Sequence, residues 1–227
     1  MIKKLLVAGL VLLTVSAVGL YLVFMNLPKL VKVEIEQQGS KALGVSLRIG
    51  TAELTTQSPD SMLKLTKLTI ANPAGFSDAS AITIAELAIR YDTNNSDAKK
   101  IIVREIVATG VVVVYEGRTR DSNLEILQRN AQAEARTRAP GRAAETPKLF
   151  LDAFLTQPGR LTVAHEVLPA GPPLVAVMPP VGTGGIGRRE NGAIAPELAQ
   201  RLVSVIATEA IRVGIGEVQK ALNQRSR

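Results

Sequence analysis

The stretch Leu63-Lys64-Leu65-Thr66-Lys67-Leu68-Thr69-Ile70 carries a pattern that decides the fold class of this chain. Its apolar residues alternate with polar ones, except that two polar residues separate Leu65 from Leu68. Alternation is typical of a β-strand with one wet face, and the extra residue makes the side chains switch phase, which requires a bulge or a bend. The stretch therefore predicts a bent strand with a continuous apolar face.

The same pattern occurs four times, with starts 16, 19 and 19 residues apart. The four copies are Leu47–Leu54, Leu63–Ile70, Ile82–Ile89 and Ile101–Ala108. Their connections, such as Asn72-Pro73-Ala74-Gly75 and Asn94-Asn95-Ser96-Asp97, are rich in turn formers and too short for crossover helices. The sequence therefore predicts a strongly curved, mainly antiparallel sheet. Further strands are expected at 111–115, 149–155, 161–168 and 174–181.

Helices are predicted at the flanks of this sheet, which makes the fold class mostly β with flanking helices (α+β). An amphipathic helix is expected from Pro28 to Gly44, and Ser122 is expected to cap a helix of about 13 residues. A last amphipathic helix is expected from about Pro196 to about Asn223. The predicted regions are an anchor at 1–27, a helix and sheet at 28–132, a linker or surface loop at 133–147, and further strands, a Gly-rich loop at 182–192 and the last helix at 148–227, packed on the same sheet.

An uncharged apolar run at the start of the chain predicts a membrane anchor. Leu5–Leu27 contains 23 consecutive uncharged positions, enough at about 1.5 Å per residue to cross a hydrocarbon core of about 30 Å. A cleaved signal peptide is the alternative, with Val15-Ser16-Ala17 as its cleavage site, but the run stays apolar where a signal peptide would turn polar. We therefore expect an uncleaved single-pass helix. Lysines on both sides leave its orientation open. The anchor residues include Leu5, Leu12, Leu20 and Phe24.

Charge and composition argue against several function classes. The net charge of +7 is spread along the chain, and the arginines between 118 and 142 are interrupted by acids and lack interleaved aromatic residues. We therefore expect no nucleic-acid partner. The absence of cysteine excludes disulfides, thiolate zinc sites and thiol nucleophiles.

Two motifs resemble catalytic or cofactor sites only in isolation. The segment Gly182-Thr183-Gly184-Gly185-Ile186-Gly187 fits a dinucleotide fingerprint, but no helix opens at its last glycine and no βαβ units surround it. His165 is the only histidine, and no nucleophile elbow or metal-ligand spacing accompanies it. We expect no enzyme activity, metal, cofactor or small-molecule substrate.

The apolar strand positions are the remaining candidate site. A curved sheet with an uncovered apolar face can hold acyl chains, whereas a covered face is an ordinary core, and alternation does not say which applies. The candidate lipid-binding residues are Leu63, Leu65, Leu68, Ile70, Ile82, Ile84, Leu87 and Ile89.

Three short segments, in this order after a Lys-Lys-led anchor and a helix ending in Leu43-Gly44, resemble the AsmA-like family of bacterial envelope proteins. They are Leu68-Thr69-Ile70-Ala71-Asn72-Pro73-Ala74-Gly75-Phe76, Tyr115-Glu116-Gly117 and Ser122-Asn123-Leu124-Glu125-Ile126-Leu127. The resemblance covers roughly residues 1–130. It implies a bacterial inner-membrane anchor, a periplasmic β-rich domain related to lipid-carrying grooves, and a role in envelope biogenesis. A long bridge needs many more strands, so we do not expect this chain alone to carry lipid across the whole periplasm.

Two functions therefore remain. The first is a non-enzymatic envelope protein that binds lipid or assists its transfer. The second is a structural accessory subunit whose anchor and β domain dock on a larger inner-membrane complex, which small residues in the anchor, such as Gly9 and Gly19, favour slightly. Membrane lipids are the expected partner of the first, and subunits of such a complex the expected partners of the second.

Overall fold

The computed structural model describes residues 28–56, 60–97, 99–138, 147–168, 171–189 and 191–225. The predicted anchor at 1–27 lies outside these residues. Within the described part of the chain, no helix combines the length and the apolar character needed to cross a membrane.

The described chain is an α+β fold in which one mixed sheet of nine strands is flanked by helices. The predicted class, mostly β with flanking helices, is thereby confirmed. The strands are β1 (Leu47–Arg48), β2 (Thr51–Thr55), β3 (Asp60–Ala71), β4 (Ser80–Asp92), β5 (Lys100–Gly117), β6 (Lys148–Thr156), β7 (Gly159–His165), β8 (Leu174–Met178) and β9 (Gly182–Ile186). The helices are α1 (28–43), α2 (Asn123–Arg138) and α3 (Ala195–Arg225).

Several of the nine strands line up end to end, and we call each such line, or each unbroken strand, a row of the sheet. β1 and β2 pair with successive parts of β3 in one register, and β6 with β7 and β8 with β9 form further rows in the same way. The row order is β1/β2, β3, β4, β5, β6/β7, β8/β9. Neighbouring rows are antiparallel, as predicted, except that β6/β7 run parallel to β5. Helix α2 lies between them in sequence and supplies the crossover that parallel pairing requires.

A line of irregular residues, which we call the crease, crosses every row of the sheet. In the central rows, the residues on this line are missing from ladders whose register continues on both sides. The outer rows break between their two segments at the same level. The crease consists of Gly50, Lys67, Ala85, Gly110, Pro158 and Pro179.

At the crease, the side chains of each strand change face. Leu65 and Leu68 are three positions apart, yet both are buried in one core, with 1% and 6% of their surface exposed. Regular strand geometry would place them on opposite faces. Left-handed backbone at Lys67 (φ 51°) and Gly110 (φ 64°) makes this switch without a shift in register, because each row contributes one residue to the crease. The apolar side therefore remains on one side of the sheet, which we call the core face; the opposite side is the outer face.

The fourth copy of the predicted pattern marks a second irregularity, so one bend does not explain all four copies. In β5 the crease lies at Gly110, beyond that copy. The fourth copy switches phase at Arg104, which falls between the pairs Arg90↔Glu105 and Tyr91↔Val103. Leu151 and Phe154 of β6 repeat this switch beside it, with both side chains buried.

Several predicted boundaries were wrong. The Gly-rich loop expected at 182–192 begins with strand β9, which pairs with β6 as an edge of the sheet. Glycine is needed there because a Cβ at Gly184 would lie 2.4 Å from the carbonyl oxygen of Asp152. Residues 133–138, expected in a linker, are the last turns of α2, and 111–115 continue β5 rather than forming a separate strand.

The helices cover the core face unevenly. α2 packs on β5 and along α3, and α3 packs on β5–β9. α1 lies along β1, where the Ile49 N–H donates to Glu36 Oε1 (2.7 Å) and the Leu47 N–H to Ser40 Oγ (2.8 Å). Ser122 caps α2: its N–H donates to Glu125 Oε2 (2.7 Å), and the Glu125 N–H donates back to Ser122 Oγ (3.3 Å).

Gly110→Ala should destabilise the fold by about 1–3 kcal/mol, because the left-handed conformation disfavours a side chain and the new Cβ would lie 2.6 Å from Cβ of Ala85. Lys67→Gly, at the other left-handed position of the crease, is the control and should change stability by less than about 1 kcal/mol. Urea unfolding midpoints measure both. Equal losses in the two variants would contradict this account of the crease.

Candidate functional site

The eight predicted lipid-binding residues share the core face but differ in burial. Their strands pair in register, with Leu65 opposite Leu87 and Leu68 opposite Ile84. Five belong to the closed core, each at most 6% exposed: Leu65, Leu68, Ile70, Ile82 and Ile84. Three are only partly buried against that core: Leu63, Leu87 and Ile89. A ligand would reach only the second group without opening the core.

The accessible apolar residues at this end of the sheet form a surface that we call the open strip. It contains Ala52, Leu54, Leu63, Leu87, Ile89 and Ile101, all partly buried. Leu54, Leu63 and Ile89 are direct neighbours across β2, β3 and β4. All six lie on the same side of the crease, toward the end of the sheet where β3 begins and β4 ends.

The helices α2 and α3 lie away from the open strip. In the described part of the chain, neither α2 nor α3 makes more than slight contact with β2, β3 or β4. On β5 and β6, where α3 packs, the core-face side chains at the same level of the sheet are buried: Ile106 is 3% exposed and Phe154 is 1% exposed. At this level of the sheet, the covered part of the core face therefore includes Ile106 of β5.

The three segments that carry the family resemblance meet in one hydrogen-bond network. The Asn72 amide donates to Glu116 Oε1 (2.7 Å), and the Ser77 N–H donates to Glu116 Oε2 (3.0 Å). Asn123, which is fully buried, donates to Asn72 Oδ1 (2.7 Å) and to the Val114 carbonyl (2.7 Å), and accepts from the Glu116 N–H (2.9 Å). Arg118 stacks on Phe76, 4.0 Å from the ring centroid, and closes the turn. Each of these polar groups has a protein partner, as expected of a network that stabilises the fold.

The described structure gives the contacts of His165, Glu166 and the Gly-rich segment. His165 Nδ1 accepts from the Val167 N–H (3.2 Å), and Glu166 accepts from the backbone N–H and hydroxyl of Thr119. Gly182 to Ile186 are in strand β9, so they do not open a helix. Among the described residues, no group of three histidine or carboxylate side chains converges as metal ligands would.

Four exposed apolar residues on the outer face, which we call the outer-face patch, were not predicted from the sequence. Val112, Leu155, Val175 and Val177 are 36%, 47%, 57% and 72% exposed. Val112 and Val177 are the two cross-strand neighbours of Arg160, and the patch extends to the edge row β8/β9. The available signal was the run Leu174–Met178, which is apolar in both strand phases.

Comparisons with protein-family profiles, with curated proteins and with solved structures find no match to this chain.

Asn123→Ala should destabilise the domain by about 3 kcal/mol, because it leaves the Glu116 N–H, Asn72 Oδ1 and the Val114 carbonyl without their partner. Gln132→Ala, at an exposed position of the same helix, is the matched control and should be nearly neutral. Thermal unfolding of both variants tests this. A neutral Asn123→Ala would show that the network does not hold the three segments together.

Proposed function

We propose that this chain is a membrane-anchored, non-enzymatic envelope protein of AsmA-like type that binds lipid acyl chains on the open strip. The observation that carries the proposal is the partly exposed apolar surface of β2–β4, which α2 and α3 leave uncovered. A soluble fold gains about 25 cal/mol for each Å² of apolar surface that it buries, so an uncovered strip favours an apolar occupant.

The dimensions and chemistry of the strip fit an acyl chain. From β2 to β5 it crosses three inter-strand spacings of about 4.8 Å, which gives about 14 Å of apolar surface. Its six lining side chains are apolar and uncharged, so they offer burial without hydrogen bonds. A hydrocarbon chain satisfies that requirement, whereas a sugar, nucleotide or peptide backbone would leave polar groups without partners.

The position of α1 supports a site close to the membrane. α1 runs antiparallel to β1, because Ser40, Glu36 and Lys32 bond successively to Leu47, Ile49 and Gly50. Its first residue is therefore at the end of the row where β2 lies, the end that also carries the open strip. The predicted anchor joins α1 at that end, so under this proposal the strip faces the inner membrane from the periplasmic side.

A structural accessory subunit is the second candidate function. The outer-face patch of Val112, Leu155, Val175 and Val177 favours it, because exposed apolar patches next to an uncovered sheet edge are common docking surfaces. In that case the anchor and the outer face would contact other membrane subunits, and the open strip would be part of the packing surface.

Leu63→Gln and Leu87→Gln should each lower the phospholipid retained by the full chain about tenfold or more, because each change removes apolar contact with an acyl chain. Leu155→Gln makes the same change on the outer face and should leave retention unchanged. The measurement is the molar ratio of phospholipid to protein after alkaline washing of membranes and extraction in mild detergent.

Leu68→Ala separates folding from binding, because its buried side chain should cost about 2–5 kcal/mol of stability. The strip variants should lose much less. Lipid retention equal to that of the unmodified chain in both strip variants would contradict the lipid-binding proposal. Loss of co-purifying membrane proteins in Leu155→Gln alone would support the accessory-subunit function instead.

A further inference from the structure

One buried polar group beside the open strip has no hydrogen-bond partner. Ser61 is fully buried, and its Oγ bonds to no other group in the described chain. An unpaired hydroxyl away from water loses its hydrogen bonds to solvent without replacement, which makes such groups rare in native proteins. Alanine would fit the same space without this cost, so the hydroxyl at this position needs a partner.

Ser61 continues the strip on the core face. It lies two residues before Leu63 in β3, in the same strand phase, and its neighbour in β4 is Tyr91, two residues after Ile89. The apolar surface therefore ends with the hydroxyl of Ser61 on β3 and the phenol of Tyr91 on β4. Both Ser61 and Tyr91 lie at the end of the sheet where β3 begins and β4 ends.

Asp92, which follows Tyr91 at this end of β4, is held by hydrogen bonds and an ion pair. Asp92 accepts from the Asn95 amide (2.7 Å) and from the Arg104 guanidinium (2.8 Å). The Asn95 hydrogen bonds and the charge of Arg104 hold the pKa of Asp92 below its usual range, so the carboxylate stays ionised and matched to the cation.

We propose that Ser61 Oγ, which is buried in the lipid-free structure, becomes accessible when an acyl lipid occupies the open strip and then donates a hydrogen bond to the ester carbonyl of that lipid. This inference rests on the proposed lipid-binding function and specifies its substrate class. The carbonyl supplies the missing acceptor, and its attached chain extends over Leu63 and Ile89 toward β2. An ester-linked lipid satisfies both requirements at once. A dialkyl ether lipid satisfies only the apolar one.

The test compares two phospholipids with the same head group and chain length, one with ester-linked and one with ether-linked chains. The full chain is reconstituted in nanodiscs containing equal amounts of both, extracted gently, and its bound lipids are counted by native mass spectrometry. The unmodified protein should retain the ester lipid about five- to tenfold over the ether lipid, the gain expected from one hydrogen bond. Ser61→Ala should abolish this preference while it retains the ether lipid as before.

Stability and selectivity together make the outcomes separable. Ser61→Ala should unfold at the same or a higher temperature, because it removes an unpaired polar group and no protein hydrogen bond. Ser61→Thr keeps the hydroxyl and should keep the ester preference. Equal retention of the two lipids by the unmodified protein, as expected if water satisfies Ser61, would overturn this inference and leave the lipid-binding proposal standing. Retention of neither lipid would overturn both.

Discussion

The structure depends on keeping one apolar face through strands that change phase. Side chains alternate across a regular strand, so Leu65 and Leu68 reach the same core only because Lys67 between them takes a left-handed conformation. Gly110 makes the corresponding switch in β5. Since these irregularities align across the sheet, each row turns at the same level. The helices then pack on a face that stays apolar on both sides of the crease.

The core face is covered where α3 packs on it and partly exposed at the open strip. α3 packs on β5–β9, and buried residues such as Ile106 and Phe154 belong to that covered part. Leu63, Leu87 and Ile89 follow the same strand pattern but lie beyond the reach of α2 and α3. A closed core and a lipid-accessible surface are therefore neighbouring parts of one sheet, and the covering helices decide which residue belongs to which. The proposed lipid site is the part without such a cover.

The strand pattern could be predicted from the sequence because alternation and phase are local properties of a strand. Leu65, Leu68, Ile84 and Leu87 were expected on one face, and their register places them there. The burial of Leu68 and the partial exposure of Leu87 could not be predicted, because burial depends on what packs over each part of the sheet, which the alternation of side chains does not encode. The segment at 182–186 was mistaken for a loop because its glycines are turn formers in isolation. Their role as close-approach residues beside β6 appears only in the paired sheet. Ser61 was missed although it continues the phase of Leu63, because an unpaired hydroxyl is a property of its surroundings.

The accessibility of the open strip can be measured directly, because the chain has no cysteine and each introduced thiol is unique. Single cysteines at positions 84, 87 and 155 report the closed core, the open strip and the outer face. We expect an apolar maleimide to label Leu87→Cys in the folded, delipidated protein, and added phospholipid to slow this reaction. Ile84→Cys should stay unlabelled, and Leu155→Cys should react at a rate that lipid does not change. Equal protection of positions 84 and 87 without lipid would contradict the account, because the strip would then be part of the closed core.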